Sequence, residues 1–198
     1  MQGLRTAFEP GAIWPDQHGV HINAHGGGVL FHDGVYYWFG EHKVEGEAGN
    51  RAQVGVRVYS SSDLYSWKDE GIALAVSSDP AHDLARGCVL ERPKVLFNPR
   101  TRMFVMWFHL ELRGQDYDCA RSGVAVSERV TGPYRFLRSL RPDAGVWPGN
   151  VPADARRPLT AAERARVDGL ELGGAPCPYY PKDLVFRRDF EGGQMARD

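Results

Sequence analysis

The sequence predicts an all-β protein built from a repeated four-stranded antiparallel unit, and three observations carry that prediction. The first is a pair of stretches, "GGVLFHDGVYYWFGE" at residues 27 to 41 and "PKVLFNPRTRMFVMWFHLE" at residues 93 to 111. Each runs apolar strand, turn, aromatic-rich strand, then a glutamate. The second is composition: 23 glycines and 13 prolines in 198 residues suit a turn-rich β protein better than a helical one. The third is that the elements following each stretch recur in the same order, with offsets of 66 to 68 residues.

Residues 1 to 22 read as an irregular lead-in. From Gly27 the chain reads as a hairpin: "VLF", a turn at His32-Asp33-Gly34, then "VYYWFG". Asp-Gly is a turn pair that tolerates the positive φ of a tight hairpin. Residues 44 to 53 are polar and loop-like, residues 54 to 61 ("VGVRVYSS") form a third strand, and after the "SSDLYSW" turn residues 68 to 74 form a fourth. Residues 77 to 91 read as a connection.

The order then repeats. "KVLFN" at 94 to 98 answers "GVLFH" at 28 to 32, and "MFVMWFHL" at 103 to 110 answers "VYYWFGE". "SGVAVSE" at 122 to 128 answers "VGVRVYS", and "GPYRFLRSL" at 132 to 140 answers "SWKDEGIAL". Trp38 and Trp107 read as matching strand positions and as packing core. Four antiparallel strands recurring at fixed spacing are the signature of β-propeller blades, blade one at about 27–74 and blade two at about 93–140. Four elements matching in order disfavour the alternative, a β-sandwich of look-alike hairpins. Residues 141 to 182 break the pattern and read as an insertion on the propeller rim. Within it, Thr160 is the expected N-cap of about three turns of helix, with Glu163 completing a capping box. Residues 184 to 198 read as the start of a third blade.

A formal net charge of −1, from 24 basic and 25 acidic residues, gives no electrostatic reason to expect nucleic acid or an anionic membrane as partner. No apolar run reaches the roughly 18 residues of a membrane helix. The first residues, "MQGLRTAFEPGAIW", have no apolar core segment, so no signal peptide is expected. Cys88, Cys119 and Cys177 are odd in number and widely spaced, the pattern of ordinary thiols rather than of a zinc site or a disulfide framework.

The combination of "INAHGGGVLFHDGVYYWFGE", "VYSSSDLYSW", "ERPKVLFN", "FVMWFH" and "GGQMARD" resembles glycoside hydrolase family 43, most closely its galactan 1,3-β-galactosidase-like group. The resemblance spans about residues 18 to 140 and 184 to 198. It implies a five-bladed β-propeller whose first strands face an axial sugar pocket. It also implies inverting hydrolysis of β-1,3-galactan or related arabinogalactan side chains. Inversion needs a general acid at the leaving oxygen and a base that activates water on the opposite face, roughly 6.5 to 9.5 Å apart. A third carboxylate commonly raises the acid's pKa by like-charge repulsion. The family's base position falls on Ala24, which has no basic group; in the galactanase-like group a later residue supplies that function. Asp198 matches the pKa-setting aspartate. The acid glutamate of blade four matches no residue and is expected beyond residue 198. The chain is therefore read as the N-terminal part of a longer hydrolase, poorly soluble and inactive alone, since two blades cannot close a ring.

The resemblance and the residue types together nominate Glu91 and Asp198 as catalytic, and His25, Glu41, Arg92 and His109 as substrate-binding. Glu91 and Arg92 immediately precede the most apolar strand of the second unit. His18, His21 and His25 lie close in sequence, but in a glycine-rich, non-helical segment that lacks i,i+4 geometry; no metal and no cofactor is expected. The expected partner is an oligosaccharide or polysaccharide. Two other readings stand beside the hydrolase: a non-catalytic carbohydrate-binding propeller, and a structural β-repeat protein. Glu91, Arg92 and Asp198 favour a sugar pocket over the last.

Overall fold

The structure, a computed structural model, describes residues 7–115 and 120–142, together with 153 and 160–162. Eight strands follow in order: β1 His25–His32, β2 Val35–Lys43, β3 Gln53–Ser61, β4 Lys68–Ala75, β5 Val89–Asn98, β6 Met103–Glu111, β7 Arg121–Ser127 and β8 Arg135–Leu140. They form two four-stranded meanders, β1-β2-β3-β4 and β5-β6-β7-β8, the blade architecture expected from the repeat. β2, β3 and β6 are rich in β-branched and aromatic residues. In β6, "MFVMWFHLE", exposure alternates residue by residue, as a pleated strand with one covered face requires.

Strand pairing accounts for the offsets. Asn98 ends β5 as His32 ends β1, an offset of 66, whereas Met103 opens β6 as Val35 opens β2, an offset of 68. The two added residues are the difference between the tight Asp33–Gly34 turn and the four-residue link 99–102. The last strand departs from the expected alignment. Thirteen positions separate Val58 from its partner Gly71 and nine separate Val126 from its partner Arg135, so β8 matches β4 at 64 rather than 66.

Two strands begin earlier than the sequence suggests. β1 starts at His25 rather than Gly27, and β5 at Val89 rather than at 94, which brings Glu91 and Arg92 inside a strand. Glycines 26 to 28 and Pro93 are poor strand formers and hide these starts. A β-bulge absorbs them in both strands: the pairing skips one residue between His25 and Gly28 and again between Glu91 and Lys94.

The core lies between the two sheets. Phe39, Val56, Val58 and Leu74 from the first meet Leu90, Phe104, Met106 and Leu110 from the second. Gly28 lets β5 approach closely, because a Cβ there would come within 2.8 Å of Lys94 Cδ and 3.3 Å of the Pro93 carbonyl oxygen. The expected equivalence of Trp38 and Trp107 fails. Trp38 pairs with Val29, but Trp107 pairs with Lys94 and so matches Phe39. Phe39 is fully buried between the sheets, whereas Trp107 is 42% exposed on the second sheet's other face. Trp38 instead packs in a separate aromatic cluster with Trp14 and Trp67.

That cluster orders the lead-in. Ile22, Ala24, Tyr59 and Trp67 form its buried centre. Trp14 Nε1 donates to the Tyr65 carbonyl at 2.9 Å, and the Asn23 side chain both donates to and accepts from the Lys43 backbone, at 2.6 and 3.1 Å. Of the expected helix, Ala161 and Ala162 are helical; its residues from Glu163 on, the other insertion residues save 141, 142, 153 and 160, and residues 184–198 lie outside the described residues.

Candidate active site

Beside the paired bulges, predicted site residues occupy matching cross-strand pairs. In the first sheet His25 lies opposite Glu41; in the second Glu91 lies opposite His109. The offsets are 91 − 25 = 66 and 109 − 41 = 68, those of the strands that carry them. The same two positions of the repeat thus hold histidine then glutamate in one sheet and glutamate then histidine in the other. The residue after each first member, Gly26 or Arg92, has a left-handed backbone, with φ of 52° and 53°. Glycine reaches that region freely; arginine does so at a cost.

Glu41 sits where the sheets meet. It lies near the end of β2, on the face that packs against β5, and is 4% exposed. Its Oε1 accepts the Arg92 peptide N–H at 3.0 Å, and its Oε2 pairs with Lys43 Nζ at 2.8 Å. Lys43 Nζ is held in turn by Asn50 Oδ1 at 2.8 Å, from the loop after β2. A Cβ on Gly26 would collide with Glu41 Oε1. Lys94, two residues beyond Arg92, donates from Nζ to the Gly27 and Gly26 carbonyls at 2.9 and 3.3 Å. Both bulges are therefore tied across the boundary.

Burial pushes the Glu91 carboxyl above the usual glutamate range, and the Glu41 charge adds to the push. His109 and Lys43 oppose it, while Glu111 reinforces it. His109 Nε2 lies 3.2 Å from Glu111 Oε1. Glu91 is thus a half-buried acid held above the ordinary glutamate range, within reach of the charge of a carboxylate pinned at both oxygens. Such a group can donate a hydrogen bond to a sugar hydroxyl or pass a proton.

The Arg92 N–H meets Glu41 at the sheet boundary, and the Glu41 charge reaches Glu91; His109, opposite Glu91, shares the face of β6 that carries Trp107, turned away from the first sheet. His25 is exposed beside the first bulge; burial first, then Arg57, lowers the proton affinity of nearby His42, and His25 adds the smallest push. Asp198 lies outside the described residues. Ala24, at the family's base position, is buried in the aromatic cluster, its backbone against Gly40. Sequence reasoning missed Lys43, Lys94 and Glu111. Each lies two residues from a nominated residue on the same strand, so the two-residue strand period was the available signal.

No protein-family model and no curated protein matches the chain. Among solved structures, a GH43 β-1,3-galactosidase with galactodeoxynojirimycin is 47% identical, with TM-score 0.78, over 95% of this chain and 53% of its own. An exo-β-1,3-galactanase from Clostridium thermocellum is 39% identical, with TM-score 0.61, over 72% of this chain and 30% of its own. An exo-β-1,3-galactanase from Phanerochaete chrysosporium, solved with galactose, is 36% identical, with TM-score 0.59, over 66% and 29%. The chain spans about half the length of the first of these and under a third of the other two.

Proposed function

The chain belongs to glycoside hydrolase family 43, in its β-1,3-galactosidase and galactanase group, and from that membership we propose that the protein hydrolyses β-1,3-linked galactan with inversion at the anomeric carbon. In this reaction a base takes a proton from water as its oxygen attacks the anomeric carbon. The glycosidic C–O bond breaks, and the leaving oxygen takes a proton from the general acid. In our reading Glu91 binds a sugar hydroxyl or assists the acid, and Asp198 tunes the acid's pKa. Arg92, His109, His25 and Glu41 line or order the sugar subsite. One observation carries the reading: 47% identity to a β-1,3-galactosidase across both sheets, over a stretch that includes the Glu41–Arg92 contact and the raised Glu91 carboxyl.

Ala24 at the base position favours a second reading, a carbohydrate-binding propeller without catalysis. Proton NMR of β-1,3-galactotriose incubated with a homologue that carries all five blades separates the two. The hydrolase reading expects galactose released first as the α anomer. Galactotriose bound but left intact would support the binding module, and release of the β anomer first would exclude inversion.

A further inference from the structure

The bulge at Glu91–Lys94 does more than accommodate an extra residue. A bulge removes one residue from ladder pairing and re-aims it. Here that residue is Arg92, a non-glycine at φ 53°, where the equivalent position of the first sheet has glycine. Backbone strain in a non-glycine persists where the surroundings fix it, and it clusters at functional sites. The Arg92 N–H is directed at Glu41 Oε1, 3.0 Å away and 51 residues earlier in the chain. Lys43 holds the other oxygen, so the buried carboxylate has little freedom to turn.

We propose that Arg92 is a positioning residue acting through its peptide N–H, which fixes the Glu41 carboxylate at the sheet boundary beside Glu91 and so sets the spacing of the two carboxyls. The proposal rests on reading Glu91 as a site residue. It explains why the first sheet needs glycine at position 26: a side chain there would occupy the space of the carboxylate that Arg92 holds. It also explains how Glu41 raises the proton affinity of Glu91 against the pull of His109 and Lys43. A carboxylate that swung away into water would be screened from its neighbour.

The test is NMR on the labelled full chain, with no hydrolysis in the readout, so its failure is distinct from failure of the hydrolase reading. The Arg92 amide proton is expected downfield, shifting with pH in step with the Glu41 carboxyl. Glu41→Gln should move that amide upfield and bring Glu91 titration to lower pH, a change that a purely structural role would not produce. Arg92→Gly, which keeps the N–H and relieves the left-handed strain, should melt at or above the wild-type temperature, whereas Arg92→Ala should not exceed it. An Arg92 amide that ignores Glu41 titration overturns the proposal, and that wild-type measurement stands even if Glu41→Gln fails to fold. Glu91 titrating unchanged in a folded Glu41→Gln variant overturns it as well.

Discussion

The two sheets share one backbone plan and differ in what they do with it. Phe39 and Trp107 occupy the same position of the repeat, yet Phe39 is sealed between the sheets and Trp107 stands on the face turned away from the first sheet. Gly26 and Arg92 share the same left-handed bulge, yet one yields space to a carboxylate and the other binds it. Glu41 and His109 are equivalent in register; so are His25 and Glu91. A repeat fixes positions and backbone directions, while burial and neighbouring charge decide what each position does.

The largest expected effect separates the two glutamates. In a homologue that carries all five blades, the Glu91→Gln change keeps shape and removes the titrating proton, so turnover on β-1,3-galactotriose should fall by about 10²- to 10⁴-fold. The melting temperature should stay close to wild type. A variant that turns over at the wild-type rate would return Glu91 to an ordinary half-buried side chain.

Truncating the equivalent aromatics sharpens the packing comparison. Phe39→Ala empties a fully buried position and should cost about 3–5 kcal/mol. Trp107→Ala removes a partly exposed ring and should cost less than half of that. Denaturant melts of both variants measure the difference; equal losses would show that something covers Trp107 as fully as the second sheet covers Phe39.

The bulge residues give a smaller contrast of opposite sign. Gly26→Ala must adopt φ 52° and also displace the Glu41 carboxylate. The backbone alone costs about 1–2 kcal/mol, and the collision adds to it. Arg92→Gly relieves the same backbone strain and should be neutral or stabilising by up to about 1 kcal/mol. Matching losses in both variants would mean that the two bulges are not equivalent.

Much of this was legible in the sequence because strand repeats leave a period-two apolar pattern and a fixed spacing. The eight strands, the hairpin at Asp33–Gly34 and the shared core follow from that pattern. The starts of β1 and β5 were hidden because glycines 26 to 28 and Pro93 look like breakers; they do break regular pairing, but as bulges inside strands. Trp38 and Trp107 were misaligned because two neighbouring aromatics in each strand allow a one-residue slip, and such a slip exchanges the faces of a strand. Glu41, Glu91, Arg92 and His109 were nominated through family resemblance and residue type. Their linkage through the Arg92 N–H was invisible, because a backbone donor leaves no mark in residue identity. Lys43 and Lys94 were overlooked because lysines on a strand ordinarily point to water.

The proposed sugar site lies where the two sheets meet, around Glu91. The most direct measurement is a titration of the labelled protein with galactodeoxynojirimycin, following backbone and carboxyl resonances. The account predicts that the largest shifts fall on Glu91, Arg92, Glu41 and His109, with the Trp14–Trp38–Trp67 cluster unmoved. Shifts centred on that aromatic cluster, or saturating binding that leaves Glu91 unperturbed, would contradict it.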